Sequence, residues 1–286
     1  MLTAPFDLAT FPFTRGDDDV DVSSVATPPP SGRFPAIFND GVVRMLSGNN
    51  TVMGAITGLG SSSISEFVGI ANRGRLLGGD DVDVVKGSVT VSDPIEERFF
   101  NPVFIGISGE VVGNEDAAGR IRLGAGEDTV MGTVDIPFIE DSSGTSGFGL
   151  RGLVLDTGRD NDTVVGQATI AGRSSNIGET VAYGIADTLL RTGTGADSVN
   201  GVGVGQSGTQ VFAAGILGST IDTVLDFGGF FSFLASIFDR GNDSIVATGE
   251  ATGIIANAFG LINTDVRTGF GADAVTGQAT GTGQTE

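Results

Sequence analysis

The stretch "RTGTGADSVNG", Arg191 to Gly201, decides how this chain is read. Gly193 and Gly195 permit a left-handed backbone, Asp197 falls at the turn, and Val199 is placed to point into a core. A second clean copy, "RTGFGADAVTG", begins at Arg267. Between and before them lie "GGDDVDVVKG" around Asp83, "GAGEDTVMG" around Asp128, "GRDNDTVVG" around Asp162 and "DRGNDSIVATG" around Asp243. Asp273 holds the corner place in the last copy. Two weaker copies sit upstream, "DDDVDVSS" at Asp21 and "LSGNNTVMG" at Asn50. These eight corners are spaced 29, 33, 45, 34, 35, 46 and 30 residues apart. A unit of about 34 residues therefore recurs, with two insertions of roughly 11, near 95–110 and 229–239.

Each unit has the same internal plan. A Val/Ala/Thr-rich stretch follows the corner, as in "TVVGQATI", then a polar turn, then an apolar stretch such as "VAYGIADT" and a short lead into the next corner. No stretch of ten or more residues carries helical periodicity with caps. A propeller blade needs four strands in 40 or more residues, longer than the usual unit here. Turn residues at nearly fixed offsets predict stacked corners, and hence an all-β, single-domain parallel β-solenoid of about eight coils. At about 4.8 Å per coil the rod is roughly 40 Å long. Residues 1–34 are read as an N-terminal segment with a first weak coil, and 35–286 as the solenoid. The residue six before the corner is Arg122, Asp156, Arg191, Asp226 and Arg267 in turn, with Asp226 placed by matching "VLDFG" to "LLRTG". Stacked, these would form a column of alternating sign.

Composition narrows the function. The formal net charge is -20, with Lys86 the single lysine. Such a surface repels nucleic acid and anionic membrane, so no nucleic acid is expected as partner. No apolar run reaches membrane-spanning length, so no membrane insertion is expected. Cysteine and histidine are absent, which excludes thiol chemistry, histidine bases and the usual zinc sites. Oxygen ligands for a hard cation remain. The N-terminus lacks the basic region and apolar core of a standard signal peptide.

The corners at Gly193, Gly195, Asp197 and Val199, at Gly269, Gly271, Asp273 and Val275, and at Gly124, Gly126, Asp128 and Val130 resemble the calcium-binding nonapeptide of repeats-in-toxin proteins, G-G-x-G-x-D-x-U-x. That resemblance implies calcium between stacked turns, held by Asp side chains and glycine carbonyls. The candidate ligands are Asp81, Asp83, Asp128, Asp160, Asp162, Asp197, Asp243 and Asp273. The pattern departs from the family in having one corner per roughly 34 residues instead of two in 18, so ions could occupy one column only. Asp81 and Asp160 replace the second glycine, and Asn50 replaces the Asp. The alternative is that each Asp simply caps its turn by accepting backbone N–H groups. The longer unit, seen in "VGIANRGRLLGGDDVDVVKG" and "FGLINTDVRTGFGADAVTGQATGTG", is similar to long glycine/aspartate-rich repeat proteins of cyanobacterial type over about residues 35–286.

Other features bear on partners. Asn39, Asn72 and Asn263 are read as a short amide ladder. "FFNPVF" lies at Phe99 to Phe104, and Phe230, Phe231, Phe233, Leu234 and Phe238 fall in the second insertion. The latter are candidate partner-binding residues, or else the core of a self-packed loop. Phe6, Phe11 and Phe13 are placed to cap the first coil, and the last coil is expected to meet a partner, another copy or a covering loop. Acids and arginines are spread one per coil, so no enzyme is expected, although β-helices that act on polysaccharides use the same residue types. Two functions remain: a structural or binding module, exported or at a cell surface, with calcium at its corners, or an intracellular scaffold or linker that docks a larger complex. No C-terminal export signal is evident in "GTGQTE", which counts against the first.

Overall fold

The computed structural model describes residues 4–26, 32–59, 64–91, 101–109, 119–137, 144–172, 178–206, 209–223, 241–269 and 271–283. It is a parallel β-solenoid of triangular plan. Each coil supplies one strand to each of three parallel sheets.

The first sheet holds β2 (Asp19–Ala26), β5 (Thr51–Leu59), β8 (Val84–Thr90), β11 (Thr129–Ile136), β14 (Thr163–Ala171), β17 (Ser198–Gln206), β20 (Ser244–Gly253) and β23 (Ala274–Gly283). The second holds β1 (Phe6–Asp7), β3 (Gly32–Asn39), β6 (Ile64–Asn72), β9 (Val103–Ser108), β12 (Gly144–Arg151), β15 (Glu179–Ala186), β18 (Gln210–Leu217) and β21 (Ile255–Ile262). The third is made of shorter strands: β4 (Val42–Arg44), β7 (Arg75–Leu77), β10 (Arg120–Ala125), β13 (Val154–Arg159), β16 (Leu189–Arg191), β19 (Thr220–Asp222) and β22 (Asp265–Arg267). The corner named in the sequence joins each third-sheet strand to the next first-sheet strand.

Register is regular from coil to coil. Thr129, Thr163, Ser198 and Ser244 are partners in one row of the first sheet, and Val130, Val164, Val199 and Ile245 in the next. The second row is fully inward, as the period-two pattern requires. The first corner differs from its expected place. Asp19 pairs with Thr51, so Asp18, not Asp21, stands where Asn50 stands one coil on. Asp18 accepts the Thr14 N–H at 2.6 Å, and its carbonyl accepts the Thr51 N–H.

A close approach of two backbones sets the cross-section. Gly54, Gly87, Gly132, Gly166 and Gly201 of the first sheet face Gly69, Gly106, Gly149, Gly184 and Gly215 of the second. A Cβ on Gly132 would overlap the Gly149 carbonyl, and one on Gly149 would overlap the backbone at Gly166 and Gln167. The sheets therefore touch backbone to backbone along a glycine seam, which the sequence shows as the final glycine of "DTVMG", "DTVVG" and "DSVNG". Large side chains fill the core beside it. Phe34, Phe67 and Phe104 occupy one row of the second sheet, followed by Gly147, Ala182, Ala213 and Ala258. Phe67 and Phe104 stack with ring centres 5.4 Å apart. Phe104 is thus a core residue of β9, and the expected insertion at 95–110 is interrupted by an ordinary strand. The extra length falls on both sides of it, within 92–100 and 110–118.

The N-terminal segment packs against the first coil. β1 extends the second sheet, the 3-10 turn Leu8–Thr10 buries Leu8, and Phe6, Phe11 and Phe13 lie against the core. Phe11 and Phe13 meet edge to face at 4.9 Å. At the far end, all ten residues of β23 are exposed. The expected amide ladder has two rungs only: Asn39 Nδ2 donates to Asn72 Oδ1 at 2.8 Å. Further along that row stand Gly152, Asp187, Gly218 and Asn263, all with positive φ. From Gly152 onward the row therefore selects residues that tolerate a left-handed turn.

The seam gives a direct test. Gly132→Ala is expected to cost about 3 kcal/mol or more, because backbone cannot yield as a side chain can. Gly277→Ala, where an added Cβ meets nothing closer than 3.7 Å, is expected to stay within about 0.5 kcal/mol of the parent. Thermal and denaturant unfolding of the two variants measures both.

Candidate functional site

The corner aspartates form one column. The Asn50 N–H donates to Asp83 Oδ1 at 3.2 Å, Asp83 to Asp128 at 2.7 Å, and Asp128 to Asp162 at 2.9 Å. The column continues from Asp162 to Asp197 at 2.9 Å, Asp197 to Asp243 at 3.0 Å, and Asp243 to Asp273 at 3.1 Å. Every corner N–H from Asn50 to Asp243 is thus received by the carboxylate of the following coil. The glycines before each Asp make this reach possible. Gly193 sits at φ 88°, and a Cβ there would overlap the Gly158 carbonyl one coil below. The capping bonds common to the whole column run between coils, and Asp83 adds an N–H bond within its own turn, from Gly79.

These carboxylates are buried. Asp83 and Asp128 have no exposed surface, and Asp162, Asp197 and Asp243 are at most 2% exposed. Asp273 is half-buried, as befits the last coil. The second oxygens have different surroundings. Asp83 Oδ2 accepts the Gly79 N–H at 3.1 Å, and Asp243 Oδ2 accepts the Thr223 hydroxyl at 2.5 Å. Asp128 Oδ2 and Asp162 Oδ2 are both buried and accept no hydrogen bond, although Thr157 precedes Asp162 where Leu123 precedes Asp128. Burial pushes Asp128 up to about 7, against a backbone hydrogen bond from Asp83 that lowers it. Burial pushes Asp162 up to about 8, offset in part by the nearby Thr157 hydroxyl and the Asp128 N–H. Burial also raises Asp83.

Asp81 and Asp160 do not join this column. Both are exposed two residues earlier, and each accepts a glycine N–H from the preceding coil: Asp81 from Gly48 at 2.8 Å and Asp160 from Gly126 at 3.2 Å. Asn49, Asn161 and Asn242 bond the opposite way, accepting from Val82, Ala196 and Ala272 of the following coil. This second, outer ladder was missed in the sequence, although "NN" and "ND" at the corners carry it. Phe230, Phe231, Phe233, Leu234 and Phe238 lie outside the described residues.

The charge column is present, with one residue changed. Arg122 pairs with Asp156, Asp156 with Arg191, Arg191 with Asp222 and Asp222 with Arg267. Asp222, not Asp226, holds the fourth place, because β19 and Thr223 reproduce the local pattern before residues 224–240. Arg122 Nε lies 3.5 Å from Asp156 Oδ2. Burial raises the Asp156 pKa, and the flanking Arg122 and Arg191 lower it.

A cation at the corners can be tested against these groups. Among the described residues no three acidic side chains converge to hold a metal. An ion would draw on one or two carboxylates and on glycine carbonyls, and the buried Asp128 Oδ2 and Asp162 Oδ2, which accept no hydrogen bond, are the atoms that fit it. No family model, curated protein or solved structure matches the chain. The protein's class therefore rests on the fold itself, a parallel β-solenoid with a buried acidic corner column.

The raised carboxyls imply a pH dependence of known sign. A carboxyl whose folded pKa exceeds its unfolded value holds its proton more tightly in the folded chain. Its contribution is fully present below the ordinary value of 3.8 and is lost as pH rises through about 7 for Asp128 and about 8 for Asp162. In chelator, the Tm is expected to fall by about 5 °C or more between pH 5 and pH 8.5. Scanning calorimetry across that window checks it.

Proposed function

We propose that this protein is a non-enzymatic structural or binding module, an acidic rod exported or displayed at a cell surface. Its corner column is neutralised by protons or by calcium. The carrying observation is that the repeated aspartates are engaged coil to coil, one per coil, each accepting the N–H of the coil before. Side chains used in this way set the spacing and rigidity of a rod. In the calcium form, Asp83, Asp128, Asp162, Asp197, Asp243 and Asp273, with corner carbonyls, hold the ion, which supplies charge neutralisation and cross-links neighbouring coils.

Calcium titrated into chelated protein at pH 8 is expected to raise the Tm by about 5 °C or more. The gain should shrink at pH 5, where protons already neutralise the column. No shift at millimolar calcium would leave a rod neutralised by protons alone.

One observation favours the scaffold reading. β23 presents ten exposed residues with no charge and no proline, a strand that can accept a further strand beside it. In this reading the strand adds to a sheet of a partner or of a second copy. Light scattering after size exclusion should then show a species larger than 29.0 kDa, and Thr276→Pro in β23 should reduce it to that mass.

A further inference from the structure

The alternating charge column has a gap, and a groove lies over it. Along the third sheet the outward row reads Arg44, Leu77, Arg122, Asp156, Arg191, Asp222 and Arg267. From Arg122 onward each arginine has an aspartate beside it. Leu77 stands where alternation would place an acid, and arginines flank it on both sides. The same place is the floor of a groove of about 460 Å³, lined by Arg44, Met45, Leu46, Leu77, Asp80 and Arg122 among others. Leu46 is 40% exposed there, and Arg44 is exposed as well.

Two coil steps separate Arg44 from Arg122, about 10 Å between their backbones. An anionic group over Leu77 would lie within reach of both guanidinium groups, as Asp156 lies between Arg122 and Arg191. Asp80 is the acid on the groove wall. Among the described residues it forms no ion pair with Arg44 or with Arg122, whose pairing partner is Asp156. Elsewhere the rod is strongly acidic, so this is a place where an anion gains from two cations at once. Leu46 and Leu77 offer apolar surface beside them.

We propose that this groove binds an organic carboxylate, with the carboxylate between Arg44 and Arg122 and an apolar or ring face on Leu46 and Leu77. The ligand supplies in trans the charge that Asp156 and Asp222 supply within the chain. Guanidinium favours this class, because its planar fork matches a carboxylate. The site is open to water, so a Kd of about 1 mM is the scale expected. The inference is independent of calcium at the corners.

The test uses the full chain in chelator. Benzoate and galacturonate serve as probes, one with an apolar ring and one with a hydroxylated ring, and sulfate as the inorganic control. Binding is followed by amide chemical shifts. Saturable shifts at Leu46 and Leu77 are expected with at least one organic probe, weakened about tenfold or more in Arg44→Gln. The stronger probe identifies the kind of ring face the groove accepts. Leu77→Asp should close the gap within the chain, abolishing the shifts and raising the Tm. Absence of saturation by both organic probes up to about 20 mM overturns the proposal. So does equal binding of sulfate, or unchanged binding in Arg44→Gln. If Leu77→Asp does not fold, the Arg44→Gln comparison decides.

Discussion

The structure depends on one hydrogen bond repeated along an edge: a corner N–H given to the carboxylate of the following coil. A parallel stack must hold each turn over the last, and turns lack the continuous ladder that strands possess. The corner aspartate supplies that missing rung at 2.7–3.2 Å. Reaching it requires the preceding backbone to adopt a left-handed form close to the coil below, which explains Gly124, Gly158 and Gly193. The cost is a row of buried acids. Burial drives Asp128 and Asp162 toward their neutral forms.

A second constraint acts across the rod. Two sheets come together on glycine, so the cross-section is narrow where they meet and is filled by Val, Ile and Leu elsewhere. The second-sheet row then changes from phenylalanine to glycine and alanine along the axis. The first coils are thus packed with aromatic rings, and the N-terminal Phe6, Phe11 and Phe13 continue that packing over the end. The corner column and the seam share an origin. Each places a small or polar group wherever backbone meets backbone, and each recurs once per coil.

Much of this could be read from the sequence, because stacking demands the same residue type at the same offset. The solenoid, the inward Val199 row and the six successive corners from Asp83 to Asp273 follow from that demand. The failures occur where the repeat is interrupted. Asp226 was placed by likeness of "VLDFG" to "LLRTG", whereas strand register and the hydroxyl of Thr223 on Asp243 select Asp222. Asp21 was read as the corner of "DDDVDVSS", but Asp18 stands two residues before the inward Val20, as later corners stand before their inward residues, and the Thr14 turn anchors it. Phe104 looked like part of an insertion because the residues on both sides of β9 are extra. Whether an aspartate serves a turn or an ion depends on what its second oxygen meets, and that lies one coil away, some 34 residues along the chain.

The most direct measurement compares Asp162→Asn with Asp162→Ala by denaturant unfolding at neutral pH. An asparagine amide keeps an oxygen to accept the Asp128 N–H and cannot ionise. The account expects Asp162→Asn to be within about 0.5 kcal/mol of the parent or more stable. Asp162→Ala should lose about 3 kcal/mol, because it leaves a buried N–H without an acceptor and opens a void. Equal stability of the two variants would contradict the claim that this hydrogen bond holds coil to coil.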